Sequence, residues 1–107
     1  MNYRYREVRI TDGALKNSYF YVKGIVDFFP DDVFGGANRD KSAERKLTIF
    51  WGAGRPVKSD IAGDKNVLRE RSWVRDFYEA HKIQRGDKVI VEKISEYRYH
   101  IYPKRDD

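Results

Sequence analysis

Residues 69–92 read RERSWVRDFYEAHKIQRGDKVIVE. They spell a short helix, a tight turn and a strand. Ser72 suits an N-cap, because its hydroxyl can accept from a free amide of the first turn. Trp73, Phe77, Ala80 and His81 recur at helical spacing, and Val74 and Tyr78 widen the stripe. The helix is predicted over residues 72–82, about three turns, because Gly86-Asp87 is a strong turn signal. Gly86 is the residue to supply a positive φ there. Residues 88–93 then alternate and are β-branched, the pattern of a half-buried strand.

The strand signals continue on both sides. Downstream, residues 94–102 complete a terminal hairpin that turns at Ser95-Glu96. Tyr97, Tyr99 and Ile101 fall on one face and Arg98, His100 and Tyr102 on the other. That aromatic-basic interleaving also occurs in platforms for single-stranded nucleic acid, although a strand with a buried aromatic face is the simpler reading. Residues 103–107 read as a frayed tail. Upstream, residues 46–51 form a strand with Leu47, Ile49 and Trp51 on one face. Residues 52–56 make a hairpin turn; their Gly-x-Gly lacks the rest of a phosphate-binding fingerprint. A return strand is predicted over 56–61, a loop over 62–66 and a short strand over 67–69.

The first third of the chain is less regular. Alternation begins at Tyr3, and a first strand is predicted over 7–11. Thr11-Asp12-Gly13 is a turn signal, residues 14–17 are ambiguous, and residues 18–22 are strand-like. Phe28 and Phe29 are core candidates. Pro30 suits the first position of a short helix, with Asp31 and Asp32 at its positive end and Gly35 as its stop. Residues 37–44 are polar and aperiodic, the pattern of a surface loop.

The 107 residues suffice for one domain, 1–107, with a modest core. There is no cysteine and only one methionine, so thiolate chemistry, a disulfide framework and most structural zinc sites are excluded. No signal peptide and no long apolar run is present, and a reducing, cytoplasmic setting is expected. The formal charge is +5, and residues 39–75 carry ten Lys/Arg against five Asp/Glu, which equals that excess. Concentrated positive charge is the footprint of a polyanion partner.

The central stretch resembles a known signature. Trp73-Val74, the aromatic pair Phe77-Tyr78, an aliphatic and then Gly86-Asp87-Lys88-Val89 are similar to the end of a DNA-binding pseudobarrel. This is the fold of the plant B3 transcription-factor domain, also used for target recognition by prokaryotic restriction endonucleases. Ser72 stands where that family often has glycine. The resemblance is clearest from Leu47 to Tyr102. It implies a mostly β (α+β) domain, a seven-stranded open pseudobarrel with two short helices, which agrees with the short strands and Gly/Pro turns. It also implies double-stranded DNA as partner, gripped in the major groove by two loop arms, with a nuclease domain or subunit elsewhere in a restriction complex.

By position, the first arm falls on residues 11–19, where Thr11, Asp12, Lys16, Asn17 and Tyr19 are the candidate DNA-binding residues. The second falls on about residues 58–71. With the preceding turn it offers Arg55, Lys58, Ser59, Asp60, Lys65, Asn66, Arg69 and Arg71. The chemistry suits base reading: Arg and Lys donate to guanine, Asn pairs with adenine and Asp accepts from cytosine. Some of these side chains would hold phosphates instead.

Nothing in the chain composes an active site. Glu92 and Lys93 are adjacent and point to opposite faces, unlike the Glu-x-Lys of common metal-dependent nucleases. His81 and His100 are not paired at relay or ligand spacing. No catalytic residue, metal ligand or cofactor is expected. Two rivals remain. One is a reader of methylated DNA that flips a base against Trp51, Trp73 or a tyrosine. The other is a protein-interaction module with its basic surface toward an acidic partner.

Overall fold

The computed structural model describes residues 4–105, with the backbone alone for Arg39. Tyr3, where the alternation begins, and Asp106 and Asp107 of the expected tail lie outside the described residues. Among those described, eight strands form two sheets. The larger has the order β1-β7-β8-β3-β4, comprising Tyr5–Arg9, Lys88–Ser95, Arg98–Pro103, Leu47–Phe50 and Val57–Ser59. The smaller has the order β2-β5-β6, comprising Phe34–Gly35, Ile61–Ala62 and Val67–Leu68. Two α-helices, α1 (Asp12–Asn17) and α2 (Val74–Ala80), and three short 3-10 turns complete a mixed α+β fold. The sheets do not close into a barrel.

The two-residue periodicity of β7 and β8 sends Val89, Val91, Tyr99 and Ile101 into the core. The hairpin turns at Glu96-Tyr97, one residue beyond the expected position. β3 joins β8 in parallel, with Ile49 beside Tyr99, and places Leu47, Ile49 and Trp51 in the core as their spacing predicts. β4 then returns antiparallel across the Gly-rich turn. At Asp60 the chain leaves this sheet, and Ile61 begins the smaller one. The expected strand over 56–61 is therefore two strands in different sheets.

α2 is shorter than predicted. Its N-cap is Trp73, which makes no side-chain capping bond. Ser72 is used differently: its amide donates to Glu70 Oε1 at 3.0 Å. Trp73 is too well anchored to leave the cap to Ser72. Its Nε1 donates to the Glu70 carbonyl at 2.8 Å, and its ring packs on Phe20, Trp51 and Phe77. Ala80 is exposed and His81 only half-buried, because Lys82 at φ 53° ends the helix there. Gly86 takes the positive φ expected of it, 90°.

The N-terminal third departs further from expectation. The first strand runs Tyr5–Arg9, and the presumed turn after it is helix α1, capped by Thr11 Oγ1 accepting from Ala14 N at 3.1 Å. Ser18 closes the helix in the left-handed region, φ 54°. Residues 18–22 form no strand. The segment reaches the smaller sheet through one bridge, Tyr21 to Val67, with Val22 N donating to Asn66 O and Leu68 N to Phe20 O. It then turns into the 3-10 segment Lys23–Phe28. The helix expected after Pro30 is a single 3-10 turn, Asp31–Val33, and Gly35 lies in β2 instead of ending a helix. Asp32 accepts from the Tyr97 hydroxyl at 2.7 Å. The tail is tied down as far as it is described: Lys104 bonds Lys88 O and Glu7, and Arg105 bonds the His81 carbonyl.

Candidate nucleic-acid interface

Two separate segments meet at Tyr19. The left-handed turn at Ser18 brings the chain off α1, and the Tyr19 carbonyl then accepts from the Tyr78 hydroxyl at 2.6 Å. That bond fixes the end of the first segment to α2. The Tyr19 ring lies edge-on to Tyr21, with centroids 5.6 Å apart. Over the ring stands the Arg71 guanidinium, 4.4 Å from its centroid, and the Lys65 ammonium is 5.8 Å away.

Each partner is positioned by its own backbone. Lys65 sits on the β5–β6 turn, whose amides bond Ala62 O. Asn66 follows at φ 55°, a left-handed conformation that asparagine tolerates. Its carbonyl accepts from Val22 N at 2.8 Å, which joins the two segments again. Arg71 stands just before α2, its carbonyl accepting from Val74 N at 3.1 Å. A cation held over an aromatic ring keeps its outward donors available, which is the chemistry a phosphate or a guanine edge needs.

The remaining candidates divide by exposure. Thr11, Asp12, Lys16 and Asn17 lie exposed on and beside α1, and Arg55 and Lys58 are exposed around the β3–β4 turn. Ser59, Asp60 and Arg69 are not available in the same way. Ser59 and Asp60 are each 2% exposed. Ser59 Oγ donates to the Asp60 carbonyl and accepts from Glu70 N. Asp60 accepts from Arg69 Nε at 2.7 Å and from Ala43 N at 2.8 Å. Arg69 also donates to the Gly36 carbonyl at 2.6 Å. In this fold Asp60 and Arg69 hold the 36–43 loop against the point where the chain changes sheets, and Ser59 braces the same point through Glu70 N.

Burial pushes the Asp60 carboxyl up, but the bonds from Arg69 and from the Ala43 amide outweigh it, so the acid is held below its usual range. Above the clamp is a polar hollow of about 190 Å³, lined in part by Lys46, Lys58 and Glu70. Lys46 was legible only as the first residue of a strand. The signal that could have found it is alternation: Lys46 is two residues before Thr48, and Thr48 pairs with Lys58.

Other sequence candidates lie elsewhere. Trp51 and Trp73, the rings offered for a flipped base, are buried and pack on each other at 6.1 Å. Glu92 pairs with His100 on one face of the large sheet, while the Lys93 ammonium reaches Phe28 on the other. His81 Nε2 faces the Trp51 carbonyl at 3.3 Å. Among the described residues no group of His, Asp and Glu could hold a metal ion, and no helix is long and apolar enough to cross a membrane. No protein-family model matches the chain, and no curated protein or solved structure matches it.

Proposed function

We propose that the chain is a duplex-DNA recognition module of the open pseudobarrel, B3-like kind. In this reading the segments 11–19 and 58–71 are arms that enter the major groove. The observation that carries it is the stacking of Arg71 on Tyr19, with Lys65 beside them. One aromatic from the first segment and two cations from the second share a single surface. Exposed Lys16, Asn17, Lys58 and Arg55 add donors for phosphates and base edges. Affinity would come chiefly from phosphate contacts and counterion release, and so fall steeply with salt. In this reading cleavage would belong to a nuclease domain or subunit of a restriction system in the cytoplasm.

The test is selection from a randomised duplex library at two salt concentrations, followed by sequencing of the retained DNA. A recovered motif of a few base pairs supports a specificity module. Arg71→Ala and Lys65→Ala should each weaken binding and lower the salt slope by about 1. Arg75, paired with Glu79 on α2 at 3.0 Å, is the control whose alanine variant should bind normally. No retention at low salt would overturn the reading and leave a protein-interaction module.

A further inference from the structure

The large sheet has a second face, and its register composes a further surface that meets the arms only at Lys58. While Leu47, Ile49, Tyr99 and Ile101 enter the core, Phe50, His100 and Tyr102 point the other way. Phe50 pairs with His100, and His100 and Tyr102 have ring centroids 4.7 Å apart. All three are only half-buried. Tyr5 lies across Glu92 from His100 and is 42% exposed. Ile90, beside Tyr102, is buried yet stands apart from the main core cluster. The side chains of this face therefore cover it, and the rings rest on an apolar seat.

The charges on this face are segregated. At its β1 margin Glu7 is engaged by Lys104 at 3.1 Å and by Lys88 at 3.9 Å. Glu92 pairs across the strands with Tyr5 and with His100. At the other margin Lys58, Thr48 and Arg98 stand in one cross-strand row. Among the described residues, neither Lys58 nor Arg98 forms an ion pair. Partly open rings beside a row of cations free of salt bridges complement one polymer chemistry, bases attached to a polyanion.

We propose that this face binds a single nucleic-acid strand, its bases stacking on Phe50, His100 and Tyr102 and its phosphates following Lys58 and Arg98. A duplex is excluded here because its base faces are already stacked. The site shares Lys58 with the second arm of the duplex reading, but it uses the opposite requirement, unpaired bases.

The test is anisotropy titration of labelled oligothymidine and oligouridine, each about ten nucleotides, at low and high salt. Salt-sensitive binding is expected. His100→Ala and Tyr102→Ala should each weaken it by about 5- to 150-fold, while Tyr102→Phe keeps the ring and the affinity. Arg71→Ala should leave single-strand binding unchanged, which separates this site from the arms. Binding of both oligomers means stacking without reading the sugar; binding of one means that the 2′-hydroxyl is also read. Either supports the site. In the unaltered chain, the oligomer should shift the ring-proton resonances of His100 and Tyr102, a readout that needs no variant to fold. Absence of single-strand binding at low salt, or shifts confined to Tyr19 and its neighbours, would overturn the proposal. So would a dimer that buries this face in the free protein.

Discussion

Arg69 Nε donates to Asp60 Oδ1 at 2.7 Å, with side chains only 12% and 2% exposed. The pair spans the point where β4 hands over to β5, and the same carboxylate holds Ala43 N. Removing one partner leaves a largely buried charge with no counterion. Asp60→Asn and Arg69→Met should each cost about 3–5 kcal/mol in urea unfolding. The double variant Asp60→Leu with Arg69→Met should cost clearly less than the sum of single losses, because no lone charge remains.

The same pair sets a pH dependence. The Asp60 carboxyl titrates below its unfolded value, so the folded state favours the carboxylate. Its stabilising contribution is full above the unfolded value of about 4 and is lost as pH falls through the lower folded value. The wild-type chain should therefore lose stability steeply below about pH 4. Asp60→Asn, weaker at neutral pH, should show a shallower acid loss when denaturant midpoints are compared across that range.

Gly35 should tolerate no side chain. A Cβ there would stand 2.7 Å from Ala43 N, from Asp60 Oδ2 and from the Lys41 carbonyl. The glycine lets β2 lie against the loop that Asp60 holds. Gly35→Ala should cost about 1–3 kcal/mol, against little change for Gly13→Ala, which meets nothing within 4 Å. Thermal unfolding of the two variants measures the contrast.

Tyr78 and Tyr99 should remain neutral well past the usual phenol range. Burial pushes both hydroxyls up, assisted by Tyr21 for Tyr78 and by Glu96 for Tyr99. Their contribution is full below about pH 10, the unfolded value, and declines as pH rises from there toward the raised folded values. Ultraviolet titration of the native chain should show at least two tyrosines fewer ionising near pH 10 than in denaturant. Tyr99 Oη also donates toward the Phe28 and Glu96 carbonyls, so Tyr99→Phe should cost about 1 kcal/mol.

Arg71 should separate binding from stability. Its contact with Tyr19 is exposed, so Arg71→Ala should cost under about 1 kcal/mol in unfolding. A large loss of duplex affinity with a near-native melt would assign the side chain to the interface. An unchanged affinity would count against the arms.

The elements readable in advance were those whose pattern outlasted two or three residues. β7, β8 and β3 alternate long enough to show which face is inward. The smaller sheet consists of two-residue strands, too short for any period, and it is defined by partners distant in sequence. Residues 18–22 have the composition of a strand but find only one bridge before the chain turns away. Asp60 and Arg69 look like solvated loop charges until the fold brings them together. The site was legible in kind, as basic and aromatic residues in two segments. Its geometry was not, because the meeting of Tyr19 with Lys65 and Arg71 is a tertiary fact.

The centre of the large sheet is β7–β8, the hairpin latest in the sequence, while β1 and β3 flank it. Tyr5 waits for Glu92, and Thr48 waits for Arg98. During synthesis, then, the early strands emerge before the template that pairs them exists. The hairpin can form locally and fast, but capturing β1 requires closing nearly the whole chain into one loop. β3 has β4 as a local partner, but until residues 88–103 are free β1 has none and β3 keeps one open edge.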